Sequence, residues 1–438
     1  MRSLELSAQW WNPQLQNTPV GGNLRYSPTK GASLDLIGTF DDGIPLNQLG
    51  GSKTIPQISV IYGVTTNGRA ISLHNNLVTR SRIGSSGYPT QSLKPQIILQ
   101  GAHVPDIHSA AFATAFFDFS YLQDWCNRSG FSWQQEVVHT KPNSTITLTF
   151  SMPEPVLAQI GDTVLSVETL IRPKPETYNP SISQTTLLRI NTAKEINIFQ
   201  WMDSYMTPFQ HFLTFATGNP NSVTRFDLRL KEDTIGPGRS HSGNISAYFE
   251  PVFFEERDPS ELEARDMLFT LRDVEDLNSI LSGWFIAYEQ YKQAINLFAS
   301  GFYFPHRYMD SRFMHSVQVI EVLYSYLVND HDQGAPKNKT RKALNYLYEQ
   351  SSDVIEPLVK SKSRFISQVV KARSYYTHYS PNLAPSATNS VDIFWLNEVL
   401  IIMVQRTLLK IIGVSSQRSK HIFEKNKRYS SVEYYSQF

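Results

Sequence analysis

A change of hydrophobic period part-way along the chain is the feature that most restricts the fold. Up to about residue 250 the apolar residues mainly alternate, and beyond about residue 276 they recur at steps of three and four. A period of two belongs to strands and one of 3.6 to helices, and a segment written in one cannot bury its face in the other. The chain is therefore expected to be α+β: a β-rich, sandwich-like domain with a helix inserted in it, then an all-α bundle. A chain of 438 residues exceeds one core of ordinary size. The change of period places the two domains at residues 1–270 and 271–438. The junction, residues 250–276, carries ten acidic residues against Arg257, Arg265 and Arg272.

In the first half, residues 56–73 set Asn67-Gly68 between two β-prone runs, which predicts a hairpin. Residues 144–150, 185–190, 223–230 and 245–254 read as strands, and 156–171 as a hairpin broken at Gly161-Asp162. Between them Ile198, Trp201, Met202, Tyr205, Phe209, Phe212, Leu213 and Ala216 follow helical spacing, with Pro208 kinking or starting part of that helix. Gly21-Gly22 reads as a turn and not as a phosphate loop, because no Gly-Lys-Ser/Thr follows.

In the second half, Asp273 and Asp276 form a capping arrangement for a helix whose stripe runs from Leu277 to Phe298 and stops before Gly301. Phe313, Val317, Ile320, Tyr324 and Leu327 mark a second helix. After a polar break at residues 330–339 a short helix surrounds Leu344 and Leu347. Another is expected over 361–379, with Phe365, Val369, Ala372 and Tyr376 on one face and Pro381 and Pro385 ending it. The last long helix runs from Asn389 or Ser390 to Gly413 and is apolar around most of its circumference, so it belongs at the centre of a bundle or in a subunit contact. The tail, residues 417–428, reads as basic and less regular.

A net charge of +1 means that any polyanion must be held by a local basic patch. The single cysteine, Cys126, rules out an internal disulfide and lacks companions for a zinc site. The N-terminal residues have no unbroken apolar core of the signal-peptide kind, and the apolar run at 391–414 is interrupted by Asp392, Asn397, Glu398, Gln405, Arg406 and Lys410. A cytoplasmic protein with no membrane partner is expected.

One stretch carries chemistry. Arg373 and His378 stand five apart in a segment with no acidic residue between Pro357 and Val391. An imidazole moves protons near neutrality, and a guanidinium holds a phosphate by two hydrogen bonds. Together they suit cleavage of RNA, where the 2′-hydroxyl is the nucleophile and no metal or other cofactor is needed. On an ideal helix the two side chains point about 140° apart, so they converge at a fraying helix end or across two subunits. Spacing alone decides little, since Arg69 and His74 share it on a strand. Arg364, Lys371 and His378, seven apart, form a stripe that is either an RNA track or a solvated face. Tyr375 and Tyr376 offer rings for base stacking or for the core.

The segment Arg373, Ser374, Tyr375, Tyr376, Thr377, His378, Tyr379, Ser380 resembles the corresponding motif of the HEPN superfamily, in particular its ApeA-like branch in bacterial anti-phage defence. Phe313, Gln318 and Glu321 on an earlier helix, and a last helix ending in LLKIIGVS, extend the resemblance over about residues 273–414. The N-terminal half is more loosely similar to the sensor-like domain of such proteins. Where the branch usually has Asn, Asp or His after the arginine, this chain has Ser374. The resemblance implies a metal-independent endoribonuclease that works as a homodimer, cuts RNA (transfer RNA among the candidates) to leave a 2′,3′-cyclic phosphate, and answers to a phage-derived protein trigger. Arg373 would grip the phosphate, His378 would move protons, and Glu321 would orient Arg373. Lys371, Ser374, Tyr375 and Arg364 would contact RNA. The alternative is a HEPN module that dimerises and binds nucleic acid without cutting it, with a ligand-binding β-domain.

Two further groups in the first half have ordinary explanations. Trp10, Trp11, Trp125 and Trp133 suit core packing as well as a carbohydrate face, and His103, Asp106 and His108 lack the further ligand that a metal site needs.

Overall fold

Alternation becomes strands, and six of them close into a ring. In this computed structural model, which describes residues 1–15, 19–40, 57–82, 87–137, 144–229, 243–254, 262–328, 338–379 and 390–435, β1 (Leu4–Trp11) pairs with β2 (Val20–Ser27) and β4 (Gln57–Thr65). β2 pairs with β3 (Gly31–Ile37), β3 with β6 (Thr90–Lys94), and β6 with β5 (Ala70–Arg82), which returns to β4. All these pairs are antiparallel, and closure leaves the ring without an exposed edge. The expected β-rich domain is thus present, with a barrel as its first part. The predicted hairpin joins β4 to β5, with the positive φ of +78° falling on Gly68.

β5 is long enough to serve two sheets. Its 77–82 half pairs with β6, and Ile71–His74 pair with β7 (Ile97–Gln100). From β7 the sheet continues through β15 (Ile245–Phe249), β14 (Val223–Arg229), β8 (Phe112–Phe119), β13 (Ser181–Ile196), β12 (Thr163–Lys174) and β11 (Val156–Ile160). A separate hairpin pairs β9 (Phe131–Val137) with β10 (Ser144–Phe150).

Gly21-Gly22 is not a turn. Both lie in β2, and a Cβ on Gly22 would stand 2.6 Å from the Asp35 carbonyl oxygen. The Gly22 carbonyl accepts the Trp10 Nε1 proton at 3.1 Å, and across β4 a Cβ on Gly63 would lie 2.3 Å from the Trp10 ring. Gly63 makes room for a fully buried indole, and Gly22 for the close approach of β3. Trp125 is likewise core, Trp11 packs edge-on against Tyr62 and His103, and Trp133 is exposed on the β9–β10 hairpin.

His74, in β5, is buried with no hydrogen bond to Nε2. Burial lowers its pKa to about 4, Asp106 opposing and His108 adding to the shift. The unfolded chain binds this proton at an ordinary pKa near 6.5, so between about pH 6.5 and 4 it holds more protons than the folded chain. Stability from the neutral His74 is complete above that window and falls as pH drops through it. Urea midpoints measured from pH 7 to pH 4.5 are expected to fall less steeply in His74→Gln than in the parent. Equal slopes would contradict the assignment.

After a short helix, α1 (Leu122–Cys126), the inserted helix is α2 (Ile198–Trp201), a π-helical turn at Met202–Met206, and α3 (Thr207–Thr217), with Asn197 capping its start. Pro208 sits at the beginning of α3, just beyond that turn, where its missing N–H is tolerated.

Beyond the junction the chain is helical: α4 (Leu277–Tyr303), α5 (Met309–Leu327), α6 (Lys339–Gln350), α7 (Ser352–Ile355), α8 (Lys362–His378), α9 (Ser390–Ile411), α10 (Ser416–Lys425) and α11 (Lys427–Tyr435). Asp276 caps α4, while Asp273 closes a capping box with Thr270. α4 bends at Tyr291 and continues through Gly301, which is not a stop; a Cβ there would meet the His315 ring at 3.0 Å. α9 is buried almost throughout, the central position its composition predicts, and ends at Gly413 with φ +91°. The tail is more regular than expected: α10 and α11 return to the junction, where Lys425 reaches Asp273 at 3.2 Å and Arg418 donates to the Asp273 carbonyl at 2.6 Å. The break at 330–339 lies mostly, and Ser380, Pro381 and Pro385 wholly, outside the described residues.

The two halves share apolar surface. Trp284 of α4 donates to the Pro208 carbonyl at 2.8 Å and stacks on Phe215 of α3, and Tyr303 meets Thr214 at 2.9 Å. No helix among the described residues is long and apolar enough to cross a membrane.

Candidate active site

α8 is held by one face and displays the others. Ser361 caps its start by accepting the Arg364 amide proton, and Phe365, Ile366, Val369 and Ala372 are buried. The helix stops because Tyr379 turns left-handed, with φ +47°, and its amide closes on the Tyr375 carbonyl at 2.6 Å. A bulky residue is uncommon in that conformation. The Tyr379 hydroxyl, 3.1 Å from Asp310 Oδ2 on α5, anchors it. That hydrogen bond is the first cause raising the Tyr379 pKa.

Arg373 stands at the flank of α8, about one-third exposed, with Nη2 3.6 Å from Glu321 Oε1. This is an ion pair too long for a hydrogen bond, and the guanidinium makes no hydrogen bond to another described side chain. Glu321 is more enclosed, at 19% exposure, and its Oε1 also accepts from the hydroxyl of buried Thr340 at the start of α6. The carboxylate is thus fixed from one side while the arginine keeps free donors.

Arg373 and Glu321 line a cleft of about 560 Å³ between α5 and α8. Asp310, Met314, Val317 and Gln318 come from α5, Tyr376, Thr377 and Tyr379 from the end of α8, and His306 and His315 close one side. Burial holds the His315 imidazole below its ordinary pKa, and its Nε2 lies 2.9 Å from the Leu297 carbonyl. A smaller cavity of about 230 Å³ shares those two histidines and is lined by Ser316, Asn397, Glu398 and Arg428.

His378 does not line the cleft. It is the last residue of α8 and exposed, on the same face as exposed Arg364 and Lys371. The structure therefore brings Arg373 and Glu321 together and leaves His378 on another face, as the helical spacing requires. Ser374 is half-buried, and Tyr375 is half-buried with its ring against Tyr376 and Tyr379, at 5.0 and 5.7 Å. Asp310, His306 and His315 were not among the residues singled out from sequence. A signal existed for the first: Asp310, Met314, Val317, Gln318 and Glu321 make one stripe along α5 at steps of three and four.

The other candidates are ordinary. His74 is buried, so Arg69 and His74 form no site. His103 stacks on Tyr62, His108 stacks on Phe199, and Asp106 accepts the His108 amide proton; the described residues contain no cluster fit to hold a metal. A cavity of about 780 Å³ in the first half is lined by Asp118, Arg225, Asp227 and Tyr248 among others, and burial raises the Asp118 pKa.

Comparison with protein families gives two matches, the ApeA N-terminal domain 1 over residues 5–284 and the Apea-like HEPN domain over residues 291–418. Comparison with curated proteins and with solved structures finds no match. The first match spans more than half of the chain, and the second covers both helices that wall the cleft. The chain therefore belongs to the ApeA-like HEPN proteins.

Proposed function

We propose that this protein is a metal-independent endoribonuclease effector of bacterial anti-phage defence, acting in the cytoplasm as a homodimer. The observation that carries the reading is the division of groups on α8: Arg373 faces the cleft with free donors beside Glu321, and His378 stands exposed outside it. One chain then offers half a site. Two copies meeting at the ends of α8 supply two histidines and two arginines around one phosphodiester. Family membership supports this, since HEPN domains typically dimerise and bind RNA.

In the reaction, one His378 takes the proton of the 2′-hydroxyl as its oxygen attacks phosphorus. The bond from phosphorus to the 5′-oxygen breaks, and the partner subunit's His378 gives that oxygen a proton. Arg373 binds the phosphate oxygens where negative charge grows. Glu321, anchored by Thr340, is a positioning residue for Arg373. Arg364 and Lys371 hold the RNA backbone along the exposed stripe, and Ser374 and Tyr375 contact it near the helix end. Residues 271–438 form the nuclease unit, and residues 1–270 form the unit that senses a phage-derived protein and restrains it. The α3–α4 contact is the route between them.

Incubating the purified protein with total RNA and excess chelator, with and without lysate of phage-infected cells, tests the reading. Fragments ending in 2′,3′-cyclic phosphate are expected, and intact RNA under both conditions would sink it. Ser374, in place of the usual Asn, Asp or His, favours the second reading, a dimer that binds RNA without cutting it; there Arg373→Ala would weaken binding while neither protein cleaves.

A further inference from the structure

The cleft is larger than a phosphate on Arg373 requires. A volume of about 560 Å³ falls within the roughly 300–1,000 Å³ range of small-ligand pockets. Its walls differ in kind. Met314, Val317 and the half-buried Tyr376 ring offer apolar surface, while Arg373 and Glu321 line the same cleft as an ion pair. Gln318 is exposed at the rim, and its amide makes no hydrogen bond among the described residues. An amide presents a donor and an acceptor side by side, the pattern needed to pair with a base edge. Apolar walls that include one aromatic ring, one free amide and an adjacent arginine describe a place for a base attached to a phosphate.

We infer that the cleft is a base pocket: it takes one unstacked base next to the phosphate held by Arg373, and Gln318 reads that base. The inference rests on the ribonuclease reading and gives it a specificity-determining residue. A base within a duplex is paired and stacked, so only a single-stranded segment can place one here. Because His378 lies outside the cleft, the strand runs from the pocket over the end of α8, past Thr377 and Tyr379, to reach it. The Tyr379–Asp310 contact forms the rim on that path.

The four nucleoside 3′-monophosphates, titrated onto the full-length protein, are the direct probe. One base is expected to bind about tenfold more tightly than the weakest, the discrimination a paired base edge commonly provides. Gln318→Leu, at an exposed position, should bring all four within about twofold. Mapping cut sites for parent and variant by sequencing should show the base preference beside the cut flatten. Four equal affinities in the parent, or a preference unchanged by Gln318→Leu, would overturn the pocket. A protein that distinguishes the monophosphates yet cuts no RNA keeps the pocket and loses the ribonuclease reading. One that cuts RNA with no base preference does the opposite.

Discussion

Replacing His378 by alanine is expected to lower RNA cleavage by about 10²–10⁴-fold, the usual contribution of a group that moves protons in the transition state. The loss should fall on kcat. His378 is exposed at the final position of α8 and makes no hydrogen bond among the described residues, so its removal costs the fold little, within about 0.5 kcal/mol. The helix end survives the change because Tyr379 supplies the left-handed cap and the contact to Asp310. Thermal midpoint and the oligomeric state in solution should therefore match the parent, which separates lost chemistry from lost structure. Arg373→Lys is the informative companion. It keeps the charge beside Glu321 but loses the planar fork that binds two phosphate oxygens, so activity should fall and not vanish. Full activity in His378→Ala would place the proton transfer elsewhere, with His306 and His315 in the cleft as the next residues to replace.

What could be read from the residues depends on how local the cause is. α8 was legible almost to the residue because its start is a Ser361 cap and its buried face repeats every three or four positions. Its stop was legible in place but not in cause, since two prolines announced an end that Tyr379 provides through its own backbone. Gly301 and Gly22 misled for one reason. A glycine marks either a turn or a close approach, and only the neighbour across the gap, His315 or Leu36 with Asp35, tells which. Closure of the barrel had no local signal, because it depends on β5 meeting β6 through pairs such as Leu77 with Lys94. The candidate site was half legible for the same reason. The pairing of Arg373 with Glu321 followed from the resemblance, but which stripe of α5 faces α8, and hence the place of Asp310 and Gln318, is set by packing between helices far apart in sequence.

Asp353→Ala should be the most destabilising single change in the bundle outside its apolar core, by about 3–5 kcal/mol and nearer the lower figure because Asp353 is 27% exposed. The cause lies in its partner. Arg406 of α9 is only 2% exposed and gives Asp353 two parallel hydrogen bonds, Nε to Oδ1 at 3.0 Å and Nη2 to Oδ2 at 2.8 Å, with Nη2 also reaching Ser416 at 2.9 Å. One guanidinium thus ties α9 to α7 and to the start of α10. Without Asp353 a buried charge is left with Ser416 alone. Arg406→Met should cost less, because the carboxylate it abandons can turn to water, and Asp353→Ala with Arg406→Met should recover much of the loss. Urea midpoints of the three variants measure this; a shift under about 0.5 kcal/mol in Asp353→Ala would refute it. The effect should extend to the cleft. α9 packs on α5, where Asn397 accepts the Ser316 hydroxyl at 2.7 Å, and α5 carries Gln318 and Glu321. Loosening α9 lets α5 shift against α8, so the distance that sets Arg373 beside Glu321 is no longer held. Asp353→Ala should therefore lose RNA affinity well below its melting temperature, though it touches no residue of the site.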